Sequence, residues 1–482
     1  MKNKIFVLVL LCLMLSGLCM TAAATKPEDS GVSDVGDAVQ IAAEFSLSDG
    51  SGTGSLSDGA ESTYVTVPAG GSINVQSEDI GALYVKFHLR AKNWTASVNG
   101  EEIHFGADGF LHEYASLHLN ADNVTMTFSE ETQIAEILVF TKGTPPADIQ
   151  VWQQPHEKAD VLLLSSHSDD EQLFFAGMIP HCIANDVDIQ VVYFCYHDNE
   201  PVRLHEQLNG LWAAGLRNYP VIGRFPDLYS ESFDWAVNAF AGYGYGREDF
   251  VSYQCEMIRR FRPEIVVAHD VNGEYSHGTH MLNTDTLREA LELTADSTNY
   301  PESAEKYGVW DVPKTYIHLW EEKPIVMDYD VPLDYFGGKT AYEMSVAGYS
   351  CHNSQQWTWF TRWLIGTDAA PITAASQIDK YSPCEFGLYR TTVGDDINGD
   401  IFENVTLRKD IPPETTAPPV TEPEETEVSD TSETEEVSDA DTEKTPLSSE
   451  PVTVSADKFF IIIVAVVLVA GGICAVIMMK KD

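Results

Sequence analysis

The sequence predicts an α/β chain: a Rossmann-like sandwich built on a parallel sheet, preceded by an all-β sandwich and followed by a disordered stalk and one C-terminal transmembrane helix. Three observations lead there. Residues 33–145 carry short β-branched and aromatic runs with no sustained helical period. From about 159 onward, apolar runs alternate with helical patterns. The whole is 482 residues long, more than one core ordinarily organises.

In chain order, residues 1–24 come first. Lys2 and Lys4 precede an apolar stretch and then Ala22-Ala23-Ala24, the order of a secretory signal peptide. Cys19 follows Leu18, too large a residue for the usual lipoprotein signal, so cleavage near Ala24 is expected. The runs "STYVTV", "GSINVQ", "ALYVKFHL", "ASVNG", "VTMTF" and "AEILVF" then read as strands of a β-sandwich, residues 33–145. Trp94 is either a sugar platform or core.

Between 159 and 400 the strands "ADVLLLSSH", "DIQVVYFCY", "PVIGRF", "EIVVAHDV" and "KTYIHLW" alternate with helical patterns. These are "DEQLFFAGMIPHCIAND", "PVRLHEQLNGLWAAGLR", "REDFVSYQCEMIRRF" and "HMLNTDTLREALELT". Such alternation implies crossovers and a parallel sheet covered on both faces. "GDDINGD" at 394–400 fails the calcium-loop pattern, because Leu407 stands where a glutamate is needed, and reads as a turn.

Residues 411–457 are rich in Pro, Thr, Ser and Glu and lack large apolar residues, so they cannot form a core. They read as an acidic stalk. From Phe459 to Met479 no residue is charged, long enough for a bilayer span, and Lys480 and Lys481 place the short tail in the cytoplasm. The expected location is therefore outside the cell, anchored by the C-terminal helix.

The formal net charge of −45 repels phosphate backbones and argues against nucleic acid as a partner. A neutral or cationic ligand such as a glycan fits better. Five cysteines remain outside the predicted signal and span: Cys182, Cys195, Cys255, Cys351 and Cys384. An odd number without a CxxC pair is neither a disulfide framework nor a zinc ribbon. Cys182 and Cys195 read as core.

The chemistry concentrates in two places. "HSDDE", 167–171, follows the first α/β strand, where open sheets place their active crevice. His167 and Asp170 are spaced to reach one ion. The same acids also suit a plain helix first turn. "AHDVNGEYSHGTHM", with His269, Tyr275, His277 and His280, follows the strand "EIVVA". Two histidines and one carboxylate with an open position are a common catalytic zinc set.

These residues resemble the LmbE-like, or PIG-L-type, family of zinc-dependent N-acetylglucosamine deacetylases. "HSDDE" is similar to its His-Pro-Asp-Asp-Glu signature and "YSHGTH" to its Tyr-x-His-Pro-Asp-His. Arg203 and Glu206 match its Arg-x-x-Glu helix, "FPDLY" at 225–229 its following loop, and "KTAYEMSVAGYSCHNSQ" with Lys339, His352 and Gln355 its late Lys helix and His turn. The resemblance spans about 159–356. It implies one Zn2+ held by His167, Asp170 and His280. Asp169 is then the general base, His277 the partner of the oxyanion or leaving amine, and Tyr275 its assistant. Arg203 and His352 are implied to meet the substrate. Arg203 also reads as a solvated helix charge, His352 as a structural cap, and His181 and His205 as surface residues. Ser168 replaces the family's proline, and Gly278-Thr279 its Pro-Asp. His277 thus lacks its neighbouring carboxylate, for which Asp270 and Glu274 are candidate substitutes. "SLSDGAESTYVTV" and "AEILVFTKG" resemble the discoidin-like, galactose-binding-like sandwiches, which implies carbohydrate binding and a possible Ca2+ in that domain.

The expected function is removal of acetyl groups from N-acetylglucosamine-type sugars of a cell-surface or extracellular glycan. The alternatives are an inactive sugar binder on the same fold and a zinc hydrolase of another amide.

Overall fold

The structure, a computed structural model, describes residues 36–90 and 93–411. The expected signal peptide, the transmembrane segment and the stalk beyond residue 411 lie outside the described residues. Among the described residues no helix is long and apolar enough to cross a membrane.

The first sheet has eight strands: β1 Gln40–Ile41, β2 Glu44–Leu47, β3 Val65–Val67, β4 Ser72–Phe87, β5 Trp94–Val98, β6 Glu101–Phe105, β7 His112–Phe128 and β8 Thr132–Phe140. Every pairing is antiparallel, in the order β1-β8-β4-β7-β5-β6, with β2 added on β4 and β3 on β8. The sequence suggested short separate strands. Instead "GSINVQ" and "ALYVKFHL" join in the 16-residue β4. Its register against β7 shifts between Gln76 and Ile80, where Asp79 has φ 64°. The polar insert "SED" bulges and bends one strand rather than ending it. Trp94 is 1% exposed, stacks on Phe105 at 4.7 Å and donates Nε1–H to Glu113 at 2.7 Å. It is core, and the sugar-platform alternative falls.

The second sheet contains β9 Val161–Ser165, β10 Ile189–Tyr193, β13 Ile265–Ala268, β14 Lys314–His318, β15 Pro324–Val326 and β16 Glu385–Thr391. A small parallel pair, β11 Cys195–Tyr196 and β12 Phe225–Pro226, lies beside it. The order is β10-β9-β13-β14-β16-β15. The first four strands run parallel, and the last two are antiparallel additions. The sheet is mixed, which corrects the all-parallel expectation. "PVIGRF" joins the large sheet only through a bridge from Val221 to Val192. β9, β10 and β13 are buried throughout, as strands covered on both faces must be.

The single helix expected from "DEQLFFAGMIPHCIAND" breaks into Asp170–Leu173 and Met178–Ala184. Gly177 between them has φ 100°, and the Tyr329 ring fills the space where a Cβ would stand. Only glycine tolerates both conditions.

The two sheets belong to one compact unit and share a core. Phe110 stacks on Tyr219 at 4.6 Å, and the Leu111 amide donates to the Tyr219 hydroxyl at 3.1 Å. His112 Nε2 and His205 Nδ1 are hydrogen-bonded at 2.7 Å, and Gln150 Nε2 donates to Asn209 at 2.6 Å. His205 is therefore buried at this seam, not on the surface. Glu61, His112 and His205 bring three donors together, but Lys86 Nζ sits 2.7 Å from Glu61 Oε1 and His112 Nε2 is hydrogen-bonded to His205 Nδ1. Two of the three donors are nitrogens, unlike the oxygen cage of calcium. The Ca2+ expectation gains no support from them.

Cys182, Cys195, Cys255 and Cys384 are free thiols. In the loop 394–400, Asp396 pairs with the buried Lys314 and with Tyr316, so the turn covers a buried charge.

Candidate functional site

Three of the four parallel strands end on a histidine at or just past the C-terminus, His167 after β9, His269 after β13 and His318 closing β14, and His197 directly follows the short β11. The parallel array thus gathers imidazoles along one edge, where open sheets place ligands.

The tightest grouping is His167, Asp170 and His280. His167 Nδ1 lies 3.1 Å from Asp170 Oδ2 and 3.1 Å from His280 Nε2, and His280 Nε2 lies 3.2 Å from Asp170 Oδ2. Tetrahedral coordination with Zn–N and Zn–O near 2.0–2.1 Å places ligand atoms roughly 3.3 Å apart. These three donors therefore fit one small divalent cation, which needs only a minor outward adjustment. The local field agrees. Burial alone would lower His280, yet Asp170 and Glu274 push its imidazole up to about 10. Positive charge is favoured where the donors converge.

The donors are aimed by neighbours. Asp170 Oδ2 accepts the His167 backbone N–H at 2.7 Å. Glu274, fully buried, accepts from His280 Nδ1 at 2.6 Å, from His269 Nδ1 at 2.9 Å and from His318 Nδ1 at 2.6 Å. Burial alone would raise Glu274, but His269 and the hydrogen bonds from the three rings hold its carboxyl well below the usual range. Fixing His280 by Nδ1–H leaves its Nε2 lone pair for a metal. His269 Nε2 accepts the Ser166 amide at 3.0 Å, which ties that ring to the backbone although it also lies near Asp170.

Asp169 sits between the two ligands in sequence, with φ 129°. An aspartate held at this angle is strained, a feature concentrated at functional positions. Burial raises its carboxyl well above the ordinary range, against the opposing pull of Arg203. His277 rests with its ring centroid 4.6 Å from those of both His167 and His280. It caps the helix Gly278–Leu293, its Nδ1 accepting the Thr279 amide at 3.2 Å. That fixes the proton on Nε2. Burial, then His280, lower its pKa strongly, so the ring is neutral. Neither Asp270 nor Glu274 hydrogen-bonds it: Asp270 caps Asn272, and Glu274 serves the other three rings. The expected substitute for the missing carboxylate is not supplied by either residue. Tyr275, beside His277 at 5.4 Å between centroids, has φ 47°, and burial followed by Asp170 and Asp169 keeps its hydroxyl protonated.

Of the two expected substrate contacts, Arg203 is placed among protein groups and His352 is corrected. Arg203 donates to Asp227 Oδ2 and to the Ser168 carbonyl, both at 2.8 Å, and lies 3.5 Å from Asp169. Its guanidinium grips protein groups and orients the acids. His352 is wholly buried behind the site, stacked on Tyr349 and pressed against Gly210, with Nε2 3.7 Å from Glu171. It cannot touch a sugar. Sequence reasoning also passed over Asp227 and His197. His197 Nε2 accepts the Ser168 amide at 3.1 Å, and its Nδ1 lies 3.2 Å from Asp227 Oδ2. The signal available for His197 was one more histidine directly after a strand, here the short β11.

No family model matches the chain. Curated relatives do. The 1D-myo-inositol 2-acetamido-2-deoxy-alpha-D-glucopyranoside deacetylase of Rhodococcus erythropolis is 26% identical over 178 residues, covering 32% of this chain and 59% of that protein. Deacetylase 2 of the same name from Saccharopolyspora erythraea is 36% identical over 126 residues, 24% of this chain and 44% of that protein. The Geodermatophilus obscurus protein is 30% identical over 179 residues, 32% of this chain and 60% of that protein. This chain thus spans about half the length of the relatives it matches. All three carry the name of a deacetylase acting on a 2-acetamido-2-deoxy sugar.

Proposed function

We propose that this chain is a zinc-dependent hydrolase removing the acetyl group from N-acetylglucosamine-type amino sugars. The observation that carries the reading is the near-equilateral set of His167 Nδ1, Asp170 Oδ2 and His280 Nε2, with the strained, buried Asp169 between two of its members in sequence. Similarity to sugar deacetylases supports the substrate class.

When bound, zinc polarises the acetyl carbonyl and lowers the pKa of water to ~7. The residues of the chain do the rest. Asp169 takes a proton as water adds to the carbonyl carbon. Its raised pKa lets it keep that proton and pass it to the departing amine as the C–N bond breaks, giving acetate and a free amino sugar. His277 Nε2–H and the Tyr275 hydroxyl are donors for the oxygen that becomes negative. Arg203 steadies Asp169 and Asp227.

The reading extends to place: the basic-then-apolar start and the uncharged run Phe459–Met479 support an exported, membrane-anchored enzyme acting on a surface or extracellular glycan. A second reading, a sugar binder with weak or no turnover, draws on the neutral His277 with neither Asp270 nor Glu274 as its partner. Zinc quantification combined with acetate release from N-acetylglucosamine separates the two. Zinc-loaded wild-type protein that releases no acetate sinks the hydrolase reading.

A further inference from the structure

Three tryptophans are exposed among the described residues: Trp235 at 48%, Trp357 at 85% and Trp359 at 47%. All three lie in the two segments that border the candidate centre. Leaving a large aromatic surface in water is unfavourable, and exposed aromatics linked to a candidate site mark a binding surface.

These rings connect to the site through a chain of contacts. On one side, Trp235 packs edge-on to Tyr229 at 6.4 Å, and Tyr229 edge-on to His277 at 5.3 Å. On the other, Tyr275 meets His277 at 5.4 Å, and Trp359 packs edge-on to Tyr275 at 5.7 Å. Phe360 backs both Trp359, at 4.4 Å, and Tyr275, at 5.3 Å. The edge-on packing fixes each ring while leaving face area for a ligand. The left-handed pair Tyr275 (φ 47°) and Ser276 (φ 68°) holds the middle of this chain in an unusual conformation.

We infer that the site takes an oligosaccharide of N-acetylated amino sugars, the rings flanking the attacked sugar lying on Trp235 and Tyr229 on one side and on Trp359 on the other. This rests on the deacetylase reading above. A lone sugar on the central donors has no use for two indoles reached through different neighbours of His277, whereas successive pyranose rings present apolar C–H faces to both. Charge favours the same occupant. A chain of formal net charge −45 repels acidic polymers and lipids but holds a neutral glycan, and holds it better as each lost acetyl leaves an ammonium group.

The test uses full-length protein with N-acetylglucosamine and its β-linked tetramer as probes. Wild type should show a higher kcat/KM for acetate release from the tetramer than from the monomer. Trp235→Ala and Trp359→Ala should each lower the tetramer-to-monomer ratio of kcat/KM by about fivefold to tenfold, as loss of an aromatic anchor does. Val309→Ala, exposed and outside this aromatic chain, should leave the ratio unchanged. Zinc content checks folding of each variant. Equal kcat/KM for the two probes, an unchanged ratio in both tryptophan variants, or stronger binding of a peptide or acyl conjugate than of the tetramer would overturn the inference. If no sugar is hydrolysed, calorimetric binding decides it. Tetramer bound more tightly than monomer, with binding weakened in both variants, retains the oligosaccharide surface while the hydrolase reading fails.

Discussion

Asp169 and Glu274 are both buried acids, yet their surroundings push them in opposite directions, and their roles follow. Asp169 has its charged form penalised by burial and only partly compensated by Arg203. Glu274 is held ionised by three imidazoles. Asp169→Asn is expected to retain zinc and reduce acetate release by about 10²–10⁴, the usual worth of a general base; metal analysis beside an acetate assay checks it. Glu274→Gln removes the charge that fixes His280. Zinc affinity should fall about 10–100-fold, measured by chelator competition, with a smaller effect on kcat in zinc-saturated protein. "HSDDE" and "YSHGTH" were legible as a site because their residue types and their places after strands were visible in the sequence. The service of Glu274 to three rings was not, since His318 lies 44 residues away on another strand.

At the scale of elements, the crossing of the helices Pro201–Ala213 and Ala341–Tyr349 sets the floor of the site. They meet at Gly210 and Gly348. A Cβ on Gly348 would stand 2.6 Å from the Gln172 side chain and 2.9 Å from the Gly210 carbonyl, and one on Gly210 2.8 Å from His352 Nε2. Gly348→Ala should destabilise by about 1–3 kcal/mol through overpacking, seen as a lower thermal midpoint, and should disturb Gln172 next to Glu171. The helical periods here were readable from sequence. Their close approach was not, because a glycine in a helical pattern does not name the helix it will touch. The break at Gly177 was equally hidden, since the ring that demands it belongs to Tyr329, far along the chain.

At the scale of the whole molecule, the seam between the two sheets is polar and buried, and it should respond to acid. Burial lowers His205 to about 4 and His112 well below its ordinary value. Burial would raise Glu61, but Lys86 and the two histidines hold it at about 2. All three groups are depressed in the folded state. Each therefore contributes stability present above its unfolded pKa and lost as pH falls through the folded one. The window opens near pH 6.5 for the histidines and extends through about 4 towards 2 with Glu61. His205 alone accounts for on the order of 3 kcal/mol. Urea unfolding midpoints should fall steadily from pH 6.5 to 4, and His205→Gln should flatten that slope. A pH-independent midpoint across this range would refute the assignment.

The sequence by itself determined where chemistry sits in this chain. Strand periodicity placed "HSDDE" and the second histidine cluster at strand ends, and their donor types restricted them to metal or proton chemistry. It also determined the strand-rich first part, because alternating burial is written locally. Only the tertiary structure decided which residues serve as donors and which support them. Arg203 turned inward to the acids, His352 went behind the site, His205 moved from presumed surface to seam, and Glu274 gathered three rings. The reason is physical: periodicity records whether a side chain is buried, whereas its partner depends on contacts between segments tens to hundreds of residues apart, which no local pattern encodes.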